Sequence, residues 1–368
     1  MAVPVYFADM RSRNSRSSTV TKIERLLKAV DLGRAVTDGD LTAIKIHFGE
    51  TGNDAFVSPV FARIVADGVR KAGGKPFFAD TNTLYSGSRH NAVDHLETAI
   101  LHGFDRAVCG APVLIADGLS GTDYSEIEVG LKHFDKVKIA NGFAHADAMV
   151  VVSHFKGHEQ AGFGGAIKNI AMGCAPPEGK KEQHSIRFEV RTSGCIGCGT
   201  CVEVCPEKAI AMQDKKAKIR RELCIGCAEC ANRCPTKTIG LDWETDLSDF
   251  IERMVEYAKG AVVSKPGKVV YLTFVTRVVP DCDCAPWSDL SVVPDQGILA
   301  STDPVAIDQA AFDLVKTAAP TPGGALDGKV SPGDDKFGAL HPDTNGCAQL
   351  IYGEKIGLGS SSYELVRI

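Results

Sequence analysis

Cys195-Ile-Gly-Cys198-Gly-Thr-Cys201-Val-Glu-Val-Cys205-Pro206 is the first of two copies of one pattern, which decides how the middle of the chain folds. The second copy is Cys224-Ile-Gly-Cys227-Ala-Glu-Cys230-Ala-Asn-Arg-Cys234-Pro235. Both have the bacterial ferredoxin spacing C-x2-C-x2-C-x3-C-P, in which three close cysteines bind one cubane and the fourth binds the other. The spacing therefore predicts two [4Fe-4S] clusters. Their ligands are Cys195, Cys198, Cys201 and Cys234 for the first, and Cys205, Cys224, Cys227 and Cys230 for the second.

A pair of structural zinc sites is the alternative interpretation, because two CxxC pairs also bind one zinc ion. Zinc leaves the third cysteine and the Cys-Pro ending of each copy unexplained, so the spacing favours iron-sulfur clusters. Gly197 and Gly226 each precede the second cysteine of a copy. We expect both to adopt positive φ, which lets backbone N-H groups approach the cluster.

Composition restricts the class of protein. The chain has 368 residues, of which 44% are hydrophobic and 24% charged, as in a soluble protein of about two domains. A net charge of -5 argues against nucleic-acid or anionic-membrane partners. We expect no signal peptide and no membrane span, because no suitable apolar run is present. Cysteines at cluster spacing, rather than in a disulfide framework, predict a reducing, cytoplasmic location.

Outside the cysteine segment, short β-rich runs alternate with amphipathic helical stretches, which predicts an α/β fold with a mostly parallel sheet. The residues after 240 contain only one or two convincing strands, so they are poor candidates for a separate sheet. We therefore predict one α/β domain, discontinuous in sequence, from residues 1–189 and 241–368. A ferredoxin-like α+β module of residues 190–240 is inserted in it, as is tolerated where the ends are exposed and close.

One stretch after the apolar run 148–153 contains many chemically active side chains. A strand, a glycine-containing loop and a helix in this order place backbone N-H groups at a strand's carboxyl end, a common anion site. Gly164 and Gly165 are the candidates for binding a ligand there. The candidate catalytic residues are His154, Lys156, His158, Lys168 and Asn169. The alternative is a glycine turn that allows tight helix packing, with one satisfied histidine.

Arg11 and Arg13 lie in a Ser/Arg-rich loop between the first predicted strand and the first helix. Ligands of open α/β sheets bind beyond the carboxyl ends of strands, so this loop is a candidate site for a phosphate or carboxylate. A solvated loop that caps the helix explains the same residues. Both interpretations stay open on the sequence.

Cys282 and Cys284 form a second cysteine motif, Asp281-Cys-Asp-Cys284, near the end of a predicted strand. Residues i and i+2 of an extended segment point to one face, so the two sulfurs can bind a third metal or meet as a redox pair. Free cysteines are also common as small buried hydrophobic residues. Possible further ligands are His47, His154, His158, Cys174 and Cys347.

The chain resembles the iron-sulfur proteins grouped as domain of unknown function 362. The resemblance rests on several long segments along the whole chain. They include Ile44-Lys-Ile-His-Phe-Gly-Glu50, Asp80-Thr-Asn-Thr-Leu-Tyr85, Ser153-His-Phe-Lys-Gly-His158, Gly164-Gly-Ala-Ile-Lys-Asn169, Asp281-Cys-Asp-Cys284 and Asp303-Pro-Val-Ala-Ile-Asp308. It implies an α/β domain with a two-cluster ferredoxin module and supplies no reaction.

The leading functional hypothesis is a redox protein whose clusters relay electrons to or from a ligand or second metal in the α/β domain. A large domain with polar strand ends indicates a small-molecule ligand, and the clusters require a redox partner protein. One alternative is a non-catalytic electron carrier or adaptor for a partner enzyme. Another is a protein that handles a metal or a small cofactor through Cys282 and Cys284.

Overall fold

The computed structural model describes residues 2–85, 87–184, 187–227, 229–241 and 247–368. The strands, in chain order, are β1 (Val3–Asp9), β2 (Leu41–Lys45), β3 (Lys75–Asp80), β4 (Val113–Ile115), β5 (Tyr124–Glu128), β6 (Lys136–Ala140), β7 (Ala148–His154), β8 (Lys156–His158), β9 (Gly162–Gly164), β10 (Phe188–Val190), β11 (Ile210–Gln213), β12 (Lys216–Ile219), β13 (Ile239–Leu241), β14 (Val269–Val275), β15 (Gly297–Ser301) and β16 (Tyr363–Arg367).

The α-helices, in chain order, are α1 (Thr19–Ala29), α2 (Leu32–Ala35), α3 (Pro59–Lys71), α4 (Ala92–Leu101), α5 (Arg106–Cys109), α6 (Asn141–Ala144), α7 (Ala166–Gly173), α8 (Pro177–Gln183), α9 (Thr200–Glu203), α10 (Glu229–Asn232), α11 (Leu247–Val262), α12 (Pro304–Thr317), α13 (Lys336–Leu340) and α14 (Ala348–Lys355). Their starts follow local sequence rules. Asp303, for example, accepts hydrogen bonds from the backbone N-H groups of Val305 and Ala306 at 2.8 and 2.9 Å, and Pro304 takes the first helical position.

Eight strands form one large sheet in the order β16-β1-β15-β14-β7-β2-β3-β4. All of them run in the same direction except β15, which is antiparallel to both β1 and β14. The prediction of an α/β fold with a mostly parallel sheet is therefore confirmed. The expectation of one or two strands after residue 240 was too low, because β14, β15 and β16 all belong to this sheet.

The centre of the large sheet is buried on both faces. Along β7, Met149 and Val151 pack into one hydrophobic cluster, and Val150 and Val152 pack into the other. Helices therefore cover both sides, which is the usual arrangement for a parallel sheet. No helix in the described part of the chain is long and apolar enough to cross a membrane.

The cysteine segment is bounded by two strands that lie side by side. β10 pairs antiparallel with β13, so the chain enters and leaves this segment at neighbouring positions. Between them, β11 and β12 form a hairpin that separates the two cysteine motifs. Gly197 and Gly226 have φ of 72° and 71°, as expected from the motif. The division at residues 190 and 240 into separate domains stays a prediction.

Candidate functional site

A cleft lies at the carboxyl ends of β2, β3 and β7, where parallel sheets bind ligands. Its cavity has a volume of about 130 Å³. Five lysine and arginine residues line it against two carboxylates, so the wall favours an anionic ligand. The titratable lining residues are Lys45, His47, Asp80, Tyr85, Arg89, His154, Lys156, His158, Glu159, Lys168, Lys180, His184, Cys227, Cys282 and Cys284.

Asp283, which is completely buried, lies between two basic side chains next to this cleft. One carboxylate oxygen is 2.9 Å from Nδ1 of His154, and the other is 3.1 Å from Nζ of Lys156. Burial alone would raise the pKa of Asp283, but the charges of His154 and Lys156 hold it well below the usual range. This carboxylate therefore fixes the segment that carries Cys282 and Cys284.

The contacts of His154 and Lys156 change the roles predicted for them. Nε2 of His154 lies 3.0 Å from the carbonyl oxygens of both Thr276 and Arg277, so both ring nitrogens face acceptors. Lys156 also donates to the carbonyl oxygen of His154 at 3.1 Å. Both side chains line the cleft, but their polar atoms are occupied in holding Asp283. The geometry favours positioning roles over the predicted catalytic roles.

Asn169 is likewise engaged by the fold. Its Oδ1 accepts a hydrogen bond from Lys45 at 2.8 Å, and its Nδ2 donates to the carbonyl oxygen of Val152 and to Oγ of Ser153, both at 3.0 Å. Asn169 therefore ties α7 to the ends of β2 and β7. The geometry again favours a positioning role.

His158 and Lys168 are the predicted residues that present polar atoms to the cleft. Nδ1 of buried His158 accepts from the backbone N-H groups of Gln160 and Ala161, both at 3.1 Å, so the neutral ring carries its proton on Nε2. Burial and the nearby charge of Lys168 lower the pKa of His158 well below its usual value. The pKa of Lys168 is itself lowered to about 7 by burial and by Lys156.

The N-terminus of α7 is capped by a carboxylate, which favours the alternative of a glycine turn for tight packing, and ligand binding by Gly164 and Gly165 stays a prediction. The backbone N-H groups of Ala166 and Ile167 donate to buried Asp308 at 2.7 and 2.9 Å. Gly165 is needed for this contact, since a Cβ there would lie 2.2 Å from Oδ1 of Asp308. Gly164 and Gly165 line the cleft, but the helix N-H groups are already satisfied. The strand-loop-helix also contains a small hairpin, β8-β9.

Arg11 and Arg13 lie outside the cleft lining, and both are exposed. Their loop follows β1, and Nζ of Lys22 donates to the carbonyl oxygens of Asp9 and Arg11. Ligand binding by these two arginines stays a prediction. The solvated loop, which was the alternative, fits their exposure.

Cys282 and Cys284 meet as a disulfide with their Cα atoms 5.1 Å apart. Both line the cleft, whereas Cys174 and Cys347 do not. A disulfide has no thiolate to offer a metal, so this state favours the redox pair over the predicted third metal site. Nζ of Lys168 lies 3.6 Å from Sγ of Cys282.

The eight cysteines of the repeated motif line two further small cavities in the cysteine segment. One is lined by Cys195, Cys198, Cys201 and Cys234, and the other by Cys205, Cys224, Cys227 and Cys230. This is the grouping that the crossed ferredoxin pattern predicts. Backbone N-H groups approach both: Ala217 lies 3.5 Å from Sγ of Cys195, and Ala209 lies 3.2 Å from Sγ of Cys205.

The second of these cavities adjoins the basic cleft. Cys227 lines both of them. The hairpin β8-β9 reaches the same point, because Nε2 of buried Gln160 donates to the carbonyl oxygen of Gly226 at 3.4 Å. A metal group held by the second set of four cysteines would therefore lie beside the cleft wall that carries His158, Lys168 and the Cys282-Cys284 pair.

Sequence reasoning missed several residues of the cleft. Lys45, Asp80 and Arg89 form a buried charged group in which Nζ of Lys45 lies 3.1 Å from Asp80. Lys45 and Asp80 are the last residues of adjacent parallel strands, so position alone could have identified them. Arg89 lies in an irregular loop, where no local pattern identifies it, and its Nη1 is 3.2 Å from Nε2 of His47.

Comparison with known proteins adds a family. The family model described as Domain of unknown function (DUF362) matches residues 42–313, more than half of the chain. No curated protein matches. The lactate racemase apoprotein of Thermoanaerobacterium thermosaccharolyticum is 14% identical with a TM-score of 0.38, over 74% of this chain and 51% of that one. A protein from Thermotoga maritima is 12% identical with a TM-score of 0.34, over 78% and 57%. The chain thus spans little more than half of each.

Proposed function

The chain belongs to the family described as Domain of unknown function (DUF362), and from this premise we propose that it is an iron-sulfur redox protein. Two [4Fe-4S] clusters would exchange electrons with a small anionic ligand in the basic cleft. One observation carries the proposal: Cys227 lines both the second four-cysteine cavity and the cleft. An electron carrier without a substrate has no need for this contact.

The residues of both cysteine cavities fit a cubane. Each cavity is lined by four cysteines drawn from both motif copies, and four thiolates are the usual ligand set of such a cluster. The backbone N-H groups of Ala217 and Ala209 point to a cysteine sulfur in each cavity. Hydrogen bonds of this kind adjust the reduction potential of a cluster. When bound, the clusters supply one-electron transfer.

The spacing of the sulfurs also supports clusters over zinc. Four thiolates at ~2.3 Å around a tetrahedral zinc ion lie ~3.8 Å from one another. In the described residues, no three cysteine sulfurs all lie within 4.8 Å of one another, so neither set is arranged as a tetrahedral zinc site requires. A cubane, whose ligands attach to separate iron atoms, suits the wider spacing.

The basic side chains of the cleft provide binding and proton transfer for the ligand. Lys168 offers a cation whose pKa is lowered to about 7, which is close to neutral pH. His158 offers an Nε2-H group from a ring fixed by two backbone hydrogen bonds. A negatively charged ligand would relieve the repulsion between Lys168 and Lys156.

A second candidate function is that of an electron carrier for a partner enzyme. The observation in its favour is that the first cysteine cavity lies at the surface, where Cys198 is exposed and Ile196 is 66% exposed. An apolar side chain beside an exposed ligand suits docking of a redox partner protein. Both candidates use this surface, and they differ in whether the cleft binds a ligand.

Anaerobic metal and sulfide analysis tests the proposal on the full chain. We expect about eight irons and about eight sulfides per chain, with the electron paramagnetic resonance signals of two interacting clusters after reduction. About two zinc ions without iron would contradict it. An iron-replete protein whose signals are unaffected by any small carboxylate or phosphate would favour the carrier function.

A further inference from the structure

The Cys282-Cys284 pair lies at the point where the cysteine segment meets the cleft. Cys282, Cys284 and Cys227 line the same cavity. A basic side chain reaches the pair, because Nζ of Lys168 is 3.6 Å from Sγ of Cys282. A group that accepts two electrons thus adjoins a ligand of the proposed second cluster.

The surroundings of the two sulfurs are asymmetric. Cys282 is buried, and its sulfur has two donors: Nζ of Lys168 at 3.6 Å and the backbone N-H of Cys284 at 3.5 Å. Cys284 is partly exposed. Nearby cations and N-H donors stabilise a thiolate relative to a thiol. Reduction of the bond would therefore leave the thiolate on Cys282 and the more accessible thiol on Cys284.

The segment that carries the pair is fixed from several sides. Asp283, between the two cysteines, is held by His154 and Lys156, and its carbonyl oxygen accepts from the backbone N-H of Glu50 at 2.9 Å. The backbone N-H of Ala285 donates to the carbonyl oxygen of Cys282 at 2.9 Å. These contacts keep both sulfurs at the cleft wall whether or not the bond between them is formed.

We infer that the Cys282-Cys284 pair is a redox-active disulfide of the cleft, reduced from the side of Cys227, with Lys168 stabilising the Cys282 thiolate. The inference rests on the proposed function. In the reduction, the S-S bond breaks, and the pair takes up two electrons and two protons to give two thiols, one of which ionises beside Lys168. The electrons come singly from a reduced carrier protein of the ferredoxin or flavodoxin class.

A redox titration of the full chain tests the inference. The protein is poised anaerobically at a series of potentials with viologen mediators, quenched in acid, denatured and alkylated. Trypsin releases a peptide between Arg277 and Lys316, in which Cys282 and Cys284 are the only cysteines. We expect this peptide to change from no alkyl groups to two, with a tenfold change in the ratio of the forms per about 30 mV.

The count of alkyl groups separates the possible outcomes. Two alkyl groups at every potential would mean that the disulfide never forms, and this would overturn the inference. So would a peptide that still carries no alkyl group at potentials low enough to reduce the iron. Reduction by a phosphine, which does not depend on iron, shows whether the disulfide exists. Iron content and cluster absorbance of the same samples report on the proposed function. An iron-free protein whose disulfide responds to the phosphine would contradict that function alone.

Variants at Lys168 test the stabilisation of the thiolate. Lys168→Met removes the cation, so we expect the disulfide to be favoured about tenfold, a shift of the midpoint by about 30 mV to lower potential. Lys168→Arg keeps a cation at the position, so its midpoint potential should stay close to that of the wild type. Equal midpoints in all three proteins would overturn the role of Lys168.

Discussion

The two four-cysteine cavities have the same ligands at the same spacing, but their surroundings differ. The first contains exposed Cys198, and Ile196 beside it is 66% exposed. In the second, Cys227 lines the cleft, and the carbonyl oxygen of Gly226 accepts from buried Gln160. The first copy therefore faces solvent at the position where the second copy faces the α/β domain.

This difference shows how one motif can serve two purposes in a chain. The ligand spacing determines what each cavity binds, whereas the neighbouring elements determine what can reach it. Hairpin β8-β9 and the Cys282-Cys284 segment contribute side chains only to the inner side, because both follow strands that end at the cleft. We therefore expect electrons to enter at the first cavity, called here the outer one, and to leave at the second, the inner one.

Removing one cysteine ligand from each cavity should affect the reduction of the Cys282-Cys284 pair differently, although the two motifs have the same spacing. We expect Cys227→Ser to abolish reduction of the Cys282-Cys284 pair by reduced methyl viologen, because the ligand next to the cleft is lost. Cys198→Ser should retain this reaction, since a small donor can reach the inner cavity directly. Both variants should lose iron. The measurement is the time course of alkylation of the peptide between Arg277 and Lys316.

A protein carrier provides the complementary measurement. With a reduced ferredoxin as donor, Cys198→Ser should also lose the reaction, because the docking side is damaged. Equal rates for Cys198→Ser and Cys227→Ser with both donors would contradict an outer entry and an inner exit. The phosphine reaction serves as the control, because it should proceed in either variant.

Asp283→Asn tests how much the buried ion pairs beside the cleft contribute to the free energy of unfolding. The change leaves His154 and Lys156 without their carboxylate, and breaking a buried ion pair costs about 3–5 kcal/mol of the free energy of unfolding. Asp281→Asn is the matched control. Its side chain is partly exposed and accepts one hydrogen bond, from Trp287 at 3.3 Å, so we expect less than about 1 kcal/mol. Urea unfolding followed by circular dichroism measures both.

The iron content of these variants relates the result to the two cavities. Asp283 contacts neither cysteine set directly, so we expect both variants to keep the iron of the wild type. A loss of iron in Asp283→Asn would mean that the cleft segment supports the inner cavity itself. Equal unfolding free energies for the two variants would contradict the role given to Asp283.

The sequence predicted the cysteine grouping and most of the sheet because both depend on local patterns. Cysteine spacing and apolar runs such as Ala148–His154 can be read without knowing their neighbours. β15 was missed, because the short apolar run Gly297–Ser301 is equally compatible with a buried helix. The capping of α7 by Asp308, 142 residues away from Ala166, is a tertiary contact that no spacing rule includes.

The residues of the candidate site likewise fall into those that local sequence identifies and those whose role depends on distant contacts. His158 and Lys168 were identified by residue type and position after a strand, and they present polar atoms to the cleft. His154, Lys156 and Asn169 were selected by the same rule, but their atoms are occupied by Asp283 and Lys45. Residue type shows which side chains are able to react, whereas the partners that occupy them come from distant parts of the sequence.

Histidine distinguishes the α/β part of the chain from the cysteine segment, because residues 190–240 contain none. Buried His95 has a pKa lowered to about 3, against 6.5 for a free histidine, mainly by burial and despite the attraction of Asp80. Below pH 6.5 this histidine binds a proton in the unfolded chain but not in the folded chain. Its neutral form therefore costs no stability above pH 6.5, and the free energy of unfolding falls as the pH decreases toward 3. Between pH 7 and pH 5 this residue should cost about 2 kcal/mol.

His95→Leu should remove that part of the acid sensitivity, as measured by urea unfolding at pH 7 and pH 5. His90→Leu, at an exposed position, is the control for replacing a histidine by leucine. An unchanged difference between pH 7 and pH 5 in His95→Leu would show that the other buried histidines, or carboxylates, dominate the acid response of the α/β part.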